Sequence, residues 1–214
     1  MAKAPDTSSD EILGIFPTPI MVCRGVVDAV LVKALIEQFN VSETGANNRT
    51  ALLQHTPVTS PHTHPNFQVV CERVAGPVQR YGATMLGETL KWGIKEIWMN
   101  RMAKDGSQKL HNHANSFISG VLYLTDIAGV SATMFHRSSG ASGFVMDNMN
   151  ENTTVNEYNA PVFRAPEMSA GDVILFPSYL MHEVPPSPVD GRMSLAFNAI
   201  PERIDSWGYR LSFR

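Results

Sequence analysis

Histidine is scarce in this chain, seven residues in 214, yet four of the seven fall in two His-x-His pairs. The pairs differ in their surroundings. His62-Thr63-His64 sits in a proline-flanked stretch, SPHTHPN, where nothing fixes both rings on one side of the chain, and it reads as a solvated loop. His111-Asn112-His113 directly precedes the strand-forming run FISGVLYL. In an extended chain residues i and i+2 point to the same face, so these two imidazoles converge while Asn112 points away. Two neutral imidazoles side by side suit a borderline metal such as iron, zinc or copper, and a third donor from elsewhere makes a facial site with open positions. His182, just past a strand in GDVILFPSYLMHEVPP, is the candidate for that donor; the bland alternative is a satisfied core histidine. Ten residues further on, Arg192 stands inside an apolar strand pattern, GRMSLAFNAI, with Ser194 two positions later. An arginine is costly to bury there unless a carboxylate or phosphate meets its guanidinium fork, so an anion belongs beside it. His136-Arg137, after another strand-like run, reads as a surface pair or as a contact for a substrate acid group.

Positioning such a site falls to the second half of the chain. Beyond Trp92 the pattern is strand-like, with alternation over residues 94–100 and further β-rich runs at 117–124, 132–136, 173–176 and 192–200. Turn signals at Lys104-Asp105-Gly106, at residues 138–143 and at Ala170-Gly171-Asp172 separate these runs and predict a sandwich or barrel. Ahead of Trp92 lie two helical patterns. Asp28 opens the first, with Val27, Val30, Leu31, Ala34, Leu35 and Phe39 on one face. The second starts near Asn66 and carries Phe67, Val70, Cys71, Val74, Val78 and Tyr81 in register, with a kink or break expected at Gly76-Pro77. Residues 12–23, interrupted by Pro17 and Pro19, can form at most an edge strand. Residues 41–64 read as a long loop, and residues 140–161 as a long polar loop of the kind that serves as a lid. Trp92 and Trp98 are expected as strand anchors packed on the helices, and the methionines as core filler. The expected organisation is one domain over residues 1–214: a disordered tail at 1–11, a helical support region at 12–90 and a β core at 91–214. The fold class is mainly β with supporting helices (α+β).

A His-x-His pair ahead of a strand, a distal histidine after a Gly-Asp…Phe-Pro strand, and Arg-x-Ser ten residues later resemble the arrangement of the Fe(II)/2-oxoglutarate-dependent oxygenases. The chain is similar in particular to small members of that superfamily from bacteria and their phages. The shared elements are Phe16-Pro17-Thr18-Pro19, the HxH…SGVxY stretch at residues 111–123, and a last element running from Phe176-Pro177-Ser178 through His182 and Arg192 to Asn198. The resemblance spans residues 15–200 and implies a double-stranded β-helix (jelly-roll, cupin-like) with the N-terminal helices packed on it. It implies that His111, His113 and His182 bind Fe(II), that Arg192 pairs with the distal carboxylate of 2-oxoglutarate, and that Ser194 hydrogen-bonds the same group. Asn100, Tyr123 and Asn198 point, on a strand reading, toward the same interior and are further candidates to contact the co-substrate. One departure matters: the superfamily's usual second ligand is Asp or Glu, and His113 occupies that place. Three-His iron is also what thiol dioxygenases use, without a co-substrate. The implied activity is oxidative decarboxylation of 2-oxoglutarate with O2, coupled to hydroxylation of an unactivated C–H bond in an unknown substrate. Two rivals stay open. One is a cupin-type dioxygenase or isomerase that uses the metal without 2-oxoglutarate, against which Arg192 stands. The other is a catalytically degenerate β-helix that binds a partner through residues 41–64 and 140–161.

Composition excludes other classes. With 43% apolar and 17% charged residues the chain can bury the core of one ordinary globular domain. A net charge of −3 provides no basic field for nucleic acid. No apolar run approaches the length of about 18 residues that a membrane span needs. Asp6, Asp10 and Glu11 stand where a signal peptide would need its apolar stretch, which makes the cytoplasm the expected compartment. Cys23 and Cys71 have no CxxC spacing and are expected as buried thiols. Exposed edge strands would allow a homodimer.

Overall fold

The computed structural model describes residues 13–46, 52–137 and 150–213. The expected tail and the first part of the loop at 140–161 lie outside them. In chain order the elements are β1 (Met21–Cys23), α1 (Ala29–Val41), β2 (Gly45–Ala46), β3 (Leu53–His55), α2 (Pro65–Leu86), β4 (Trp92–Met102), β5 (Gln108–His111), β6 (Ile118–Tyr123), β7 (Met134–His136), β8 (Val162–Arg164), β9 (Val173–Pro177), β10 (His182–Val184), β11 (Arg192–Pro201), β12 (Arg203–Ser206) and β13 (Tyr209–Ser212).

Asp28 caps α1 as its position predicts, its Oδ1 accepting from the Leu31 N–H at 2.9 Å, which satisfies one of the orphan donors of the first turn. The buried stripe is Leu31, Val32, Leu35 and Phe39. Val30 was expected on that face and is exposed instead, because the stripe follows the four-residue steps from Leu31 to Phe39 and Val30 falls to one side of it. Helix α2 starts with Pro65 in its first turn, where the missing N–H costs nothing, and stops at Gly87, whose φ of 72° closes the end. It is neither split nor ended at Gly76-Pro77. The continuous buried face of Phe67, Val70, Val74, Val78 and Tyr81 outweighs the one hydrogen bond that Pro77 removes.

The strands form a seven-stranded sheet in the order β1-β9-β6-β11-β4-β3-β2, a four-stranded sheet in the order β5-β10-β7-β8, and the separate hairpin β12-β13. All the pairings are antiparallel. From β4 to β11 the chain passes repeatedly between the larger and the smaller sheet, which is the winding of a double-stranded β-helix, or jelly-roll. Residues 12–23 supply an edge strand, as their prolines allow: β1 takes one edge of the large sheet, while β2 and β3, in the stretch expected as a long loop, extend its other edge beyond β4. Strands of two and three residues show no period in sequence, so residues 41–64 read as loop.

Alternation along the central strands divides the molecule. Met193, Leu195, Phe197 and Ala199 of β11 and Ile97 and Met99 of β4 join Leu35, Phe39, Val70 and Val74 of the helices in the main core. Arg192, Ser194, Ala196 and Asn198 of β11, with Trp98, Asn100 and Met102 of β4, line a cavity on the sheet's other side. Gly120 lets the neighbouring Phe197 ring lie across β6, since a Cβ there would meet that ring at 2.1 Å. Gly171, at a φ of 93°, brings the predicted turn against the Val27 carbonyl, 2.2 Å from where a Cβ would stand. Cys23 and Cys71 are free and only half-buried, not fully buried as expected. Among the described residues no helix is long and apolar enough to cross a membrane.

Candidate metal centre

Strand β5 ends on His111 and β10 begins on His182, and the antiparallel register sets the two directly opposite each other. His113 lies two residues beyond the end of β5, where its N–H donates to the Ser178 carbonyl at 2.9 Å. The three residues form a group in which one potential ligand nitrogen from each lies within 4.8 Å of the others. Ring centroids are 4.2 Å apart for His111 and His182, 5.1 Å for His111 and His113, and 5.2 Å for His113 and His182.

Backbone carbonyls fix the tautomers of two of the rings. His111 Nδ1 donates to the Lys109 carbonyl at 2.7 Å, and His182 Nδ1 to the Leu180 carbonyl at 2.8 Å. A carbonyl only accepts, so Nδ1 holds the proton and the lone pair of the neutral ring is on Nε2, the arrangement a metal ligand needs. His113 is held by a side chain instead. Its Nδ1 lies 3.3 Å from the Asn198 amide, which is itself tied to Ser119 Oγ at 2.7 Å and to Glu96 Oε1 at 2.6 Å. Burial pushes the His182 pKa down to about 3 and that of His113 to about 4, and the neighbouring His111 adds to both shifts. Both are therefore neutral at pH 7 and can bind a cation without first losing a proton.

The cavity, of ≈ 270 Å³, continues from this group between the two sheets. Asn198, beside His113, and Arg192 stand at opposite ends of the inward row of β11, with Ser194 and Ala196 between them. Arg192 is 5% exposed. Among the described residues no carboxylate pairs with it, its Nε has no hydrogen-bond partner, and its nearest aromatic neighbour is the Tyr123 ring, 5.8 Å from Cζ. Burial lowers its pKa, although an arginine remains charged there. Tyr123 is fully buried, bonds Thr133 Oγ1 at 3.1 Å and is not among the lining residues. Asn100 does line the cavity, opposite Ser194 in register.

Other sequence expectations divide. Trp92 packs against Gly82 of α2, but Trp98 points away from the helices into the cavity, its ring 5.7 Å from that of His113. The second His-x-His pair stays apart from the first: His62 lies in a 3-10 turn and His64 caps α2, its Nδ1 accepting from the Asn66 N–H at 3.1 Å. His136 pairs with Glu183 at 3.0 Å and Arg137 with the carbonyls of Glu157 and Tyr158, away from the cavity. His55 was missed altogether. It lines the cavity from β3, opposite Asn100, and the only sequence signal was a histidine in a segment too short to show alternation.

Residues 96–198 match the family model described as "Putative 2OG-Fe(II) oxygenase". No protein of curated function matches the chain. Among solved structures the chain is similar to HygX from Streptomyces hygroscopicus with nickel and 2-oxoglutarate bound, at 18% identity over 86% of this chain and 83% of that one, with a TM-score of 0.64. An oxidoreductase of the 2OG-Fe(II) oxygenase family from Burkholderia pseudomallei is 16% identical over 84% and 83% of the two chains, with a TM-score of 0.58. The non-heme α-ketoglutarate dependent epimerase SnoN from nogalamycin biosynthesis is 13% identical over 87% and 79%, with a TM-score of 0.64. At these identities the structural likeness speaks for the fold, while the family match covers the stretch from Glu96 to Asn198 that contains all three histidines and Arg192. Residues 96–198 are thus similar in sequence to the 2OG-Fe(II) oxygenases, and most of the chain is similar to them in fold.

Proposed function

We propose that this protein is an Fe(II)/2-oxoglutarate-dependent dioxygenase, a hydroxylase in which His111, His113 and His182 hold the iron and Arg192 holds the distal carboxylate of 2-oxoglutarate. The observation that carries the reading is Arg192: a guanidinium with 5% exposure and no counter-ion among the described residues, in the same cavity as three convergent imidazoles. A buried cation without an anion is strongly unfavourable, and a dicarboxylate guest that also chelates the metal relieves it. HygX, which shares the fold, carries nickel and 2-oxoglutarate in one structure and iron in another.

In this reading the chain's own groups bind, orient and exclude water. The guanidinium fork takes the distal carboxylate, and Ser194 Oγ, on the same row, donates a second hydrogen bond to it. Asn100, across from Ser194, offers an amide to the body of the co-substrate. Asn198 serves the metal end by positioning His113. Phe176 and Val184 line the cavity with apolar surface that keeps water from the reacting atoms. When bound, Fe(II) with O2 supplies the oxidation in which 2-oxoglutarate becomes succinate and CO2 while a substrate C–H becomes C–OH. O2 and an unidentified substrate are thus the remaining partners. The same reading takes residues 1–214 as one domain working in the cytoplasm. The net charge of −3 speaks against nucleic acid, and the open sheet edges β1, β2, β5 and β8 are where a homodimer would pair.

The test is an anaerobic titration of the iron-loaded protein with 2-oxoglutarate. A visible charge-transfer band that saturates at one equivalent supports chelation. Absence of the band with iron bound would leave a three-histidine metal protein that uses no such co-substrate.

A further inference from the structure

With iron on the histidines and 2-oxoglutarate on the Arg192–Ser194 row, one wall of the cavity remains unused. It consists of Leu53 and His55 on β3, Val58 just beyond that strand, and Trp98 on β4. Leu53 is buried, His55 and Trp98 are half-buried and Val58 is exposed, so the wall leads from the interior toward solvent. The Trp98 ring lies 5.7 Å from His113, which places anything resting on the indole beside the metal centre. His55 Nδ1 donates to the Thr56 carbonyl at 2.9 Å. Since that carbonyl can only accept, the neutral ring carries its free lone pair on Nε2 and offers an acceptor. Among the described residues that line the cavity, Arg192 is the only Lys, Arg, Asp or Glu. Among the described lining residues no carboxylate is present to meet an ammonium group, Glu96 being engaged by the Asn198 amide, and the one cation is engaged by the co-substrate, so a charged substrate group would be desolvated here without a partner.

We propose that this wall is the primary-substrate subsite, and that it takes a neutral small molecule which lays a ring or other flat apolar face on Trp98 and donates a hydroxyl hydrogen to His55 Nε2. The stacking and the hydrogen bond together fix which C–H is turned toward the metal, which makes His55 a specificity-determining residue. The proposal rests on the 2-oxoglutarate reading, because Arg192 must be occupied for the neutral preference to hold.

Four probes that share one ring test it: benzyl alcohol, toluene, benzylammonium and benzoate. Each is titrated into the anaerobic protein saturated with Fe(II) and 2-oxoglutarate, following the shift of the charge-transfer band, and again by saturation-transfer NMR with Zn(II) in place of iron. Benzyl alcohol should bind about three- to tenfold more tightly than toluene, the size of one neutral hydrogen bond, and more tightly still than either ion. His55→Phe should bring benzyl alcohol to the level of toluene, His55→Gln, which retains an acceptor, should keep part of the preference, and Trp98→Ala should weaken all four. Tighter binding of benzoate or benzylammonium, a preference unchanged in His55→Phe, or no binding of any probe at millimolar concentration would overturn the proposal. Failure of the co-substrate reading shows separately, as the absence of a band with 2-oxoglutarate alone, and the NMR ranking needs no band.

Discussion

At the histidine end of the cavity each ring is positioned before any guest arrives, two by backbone carbonyls and one by the Asn198 amide, whereas at the other end Arg192 is buried with nothing among the described residues to neutralise it. At the histidine end two of the rings, His113 and His182, are neutral at pH 7. The arginine end is charged and ready for an anion. Neutral donors can be preorganised cheaply because the metal brings its own charge, and desolvation helps by keeping protons off the rings. A fixed cation has no such neutral form, so its burial strains the guest-free protein and favours the guest. One cavity thus offers imidazole donors at one end and an uncompensated cation at the other.

Removing a donor from the histidine end should have the largest effect. His111→Ala, His113→Ala and His182→Ala are each expected to abolish stoichiometric iron binding, since a three-donor site cannot lose one donor and keep its affinity. Metal analysis of the purified variants decides this, and full iron occupancy in the His113 variant would break the symmetry of the three rings. His62→Ala and His64→Ala should bind iron like the parent protein.

The arginine end is next. Arg192→Met should leave iron binding intact and weaken 2-oxoglutarate by about 3–5 kcal/mol, on the order of a hundred- to a few thousandfold. In the absence of 2-oxoglutarate the same variant should melt no lower than the parent, because an unpaired buried charge has been removed. A co-substrate affinity within a few-fold of the parent would show that the fork faces something else. Ser194→Ala loses one hydrogen bond to a charged group and should cost about 1.5–3 kcal/mol.

Acid should separate the two ends more gently. In the metal-free fold His113 and His182 bind protons only near pH 4 and pH 3, while in the unfolded chain they do so near the ordinary value of 6.5. Between those limits the unfolded chain holds more protons, so stability falls as pH is lowered through that window and is recovered as pH rises above it. Melting curves of metal-free protein between pH 7 and pH 4 should show this loss, and bound Fe(II) should raise the melting temperature across that range. A flat profile would mean that the rings are hydrated and not desolvated.

Much of this was legible in the sequence because long strands repeat. In β4 and β11 alternation marks which residues share a face, so Arg192, Ser194 and Asn198 emerge together, with Asn100 beside them. Which face is the core was not legible, since every residue of β11 but one is buried, and Trp98 was accordingly placed against the helices when it lines the cavity. The convergence of His111 and His113 was expected from extended geometry, yet His113 lies beyond the strand and is held by Ser178 and Asn198, contacts that no local pattern carries. His55 and its strand were invisible because three residues cannot display a period of two. Pro77 misled in the opposite direction: a local helix breaker was overridden by a tertiary face that sequence alone cannot weigh.

If the buried arginine serves the distal carboxylate of 2-oxoglutarate, succinate release depends on it. With iron saturating and 2-oxoglutarate at a concentration that half-saturates the parent protein, release should be nearly abolished in Arg192→Met and reduced far less in Ser194→Ala. Raising 2-oxoglutarate should restore the serine variant well before the arginine variant. Equal and undiminished succinate release from both variants would mean that Arg192 does not hold 2-oxoglutarate.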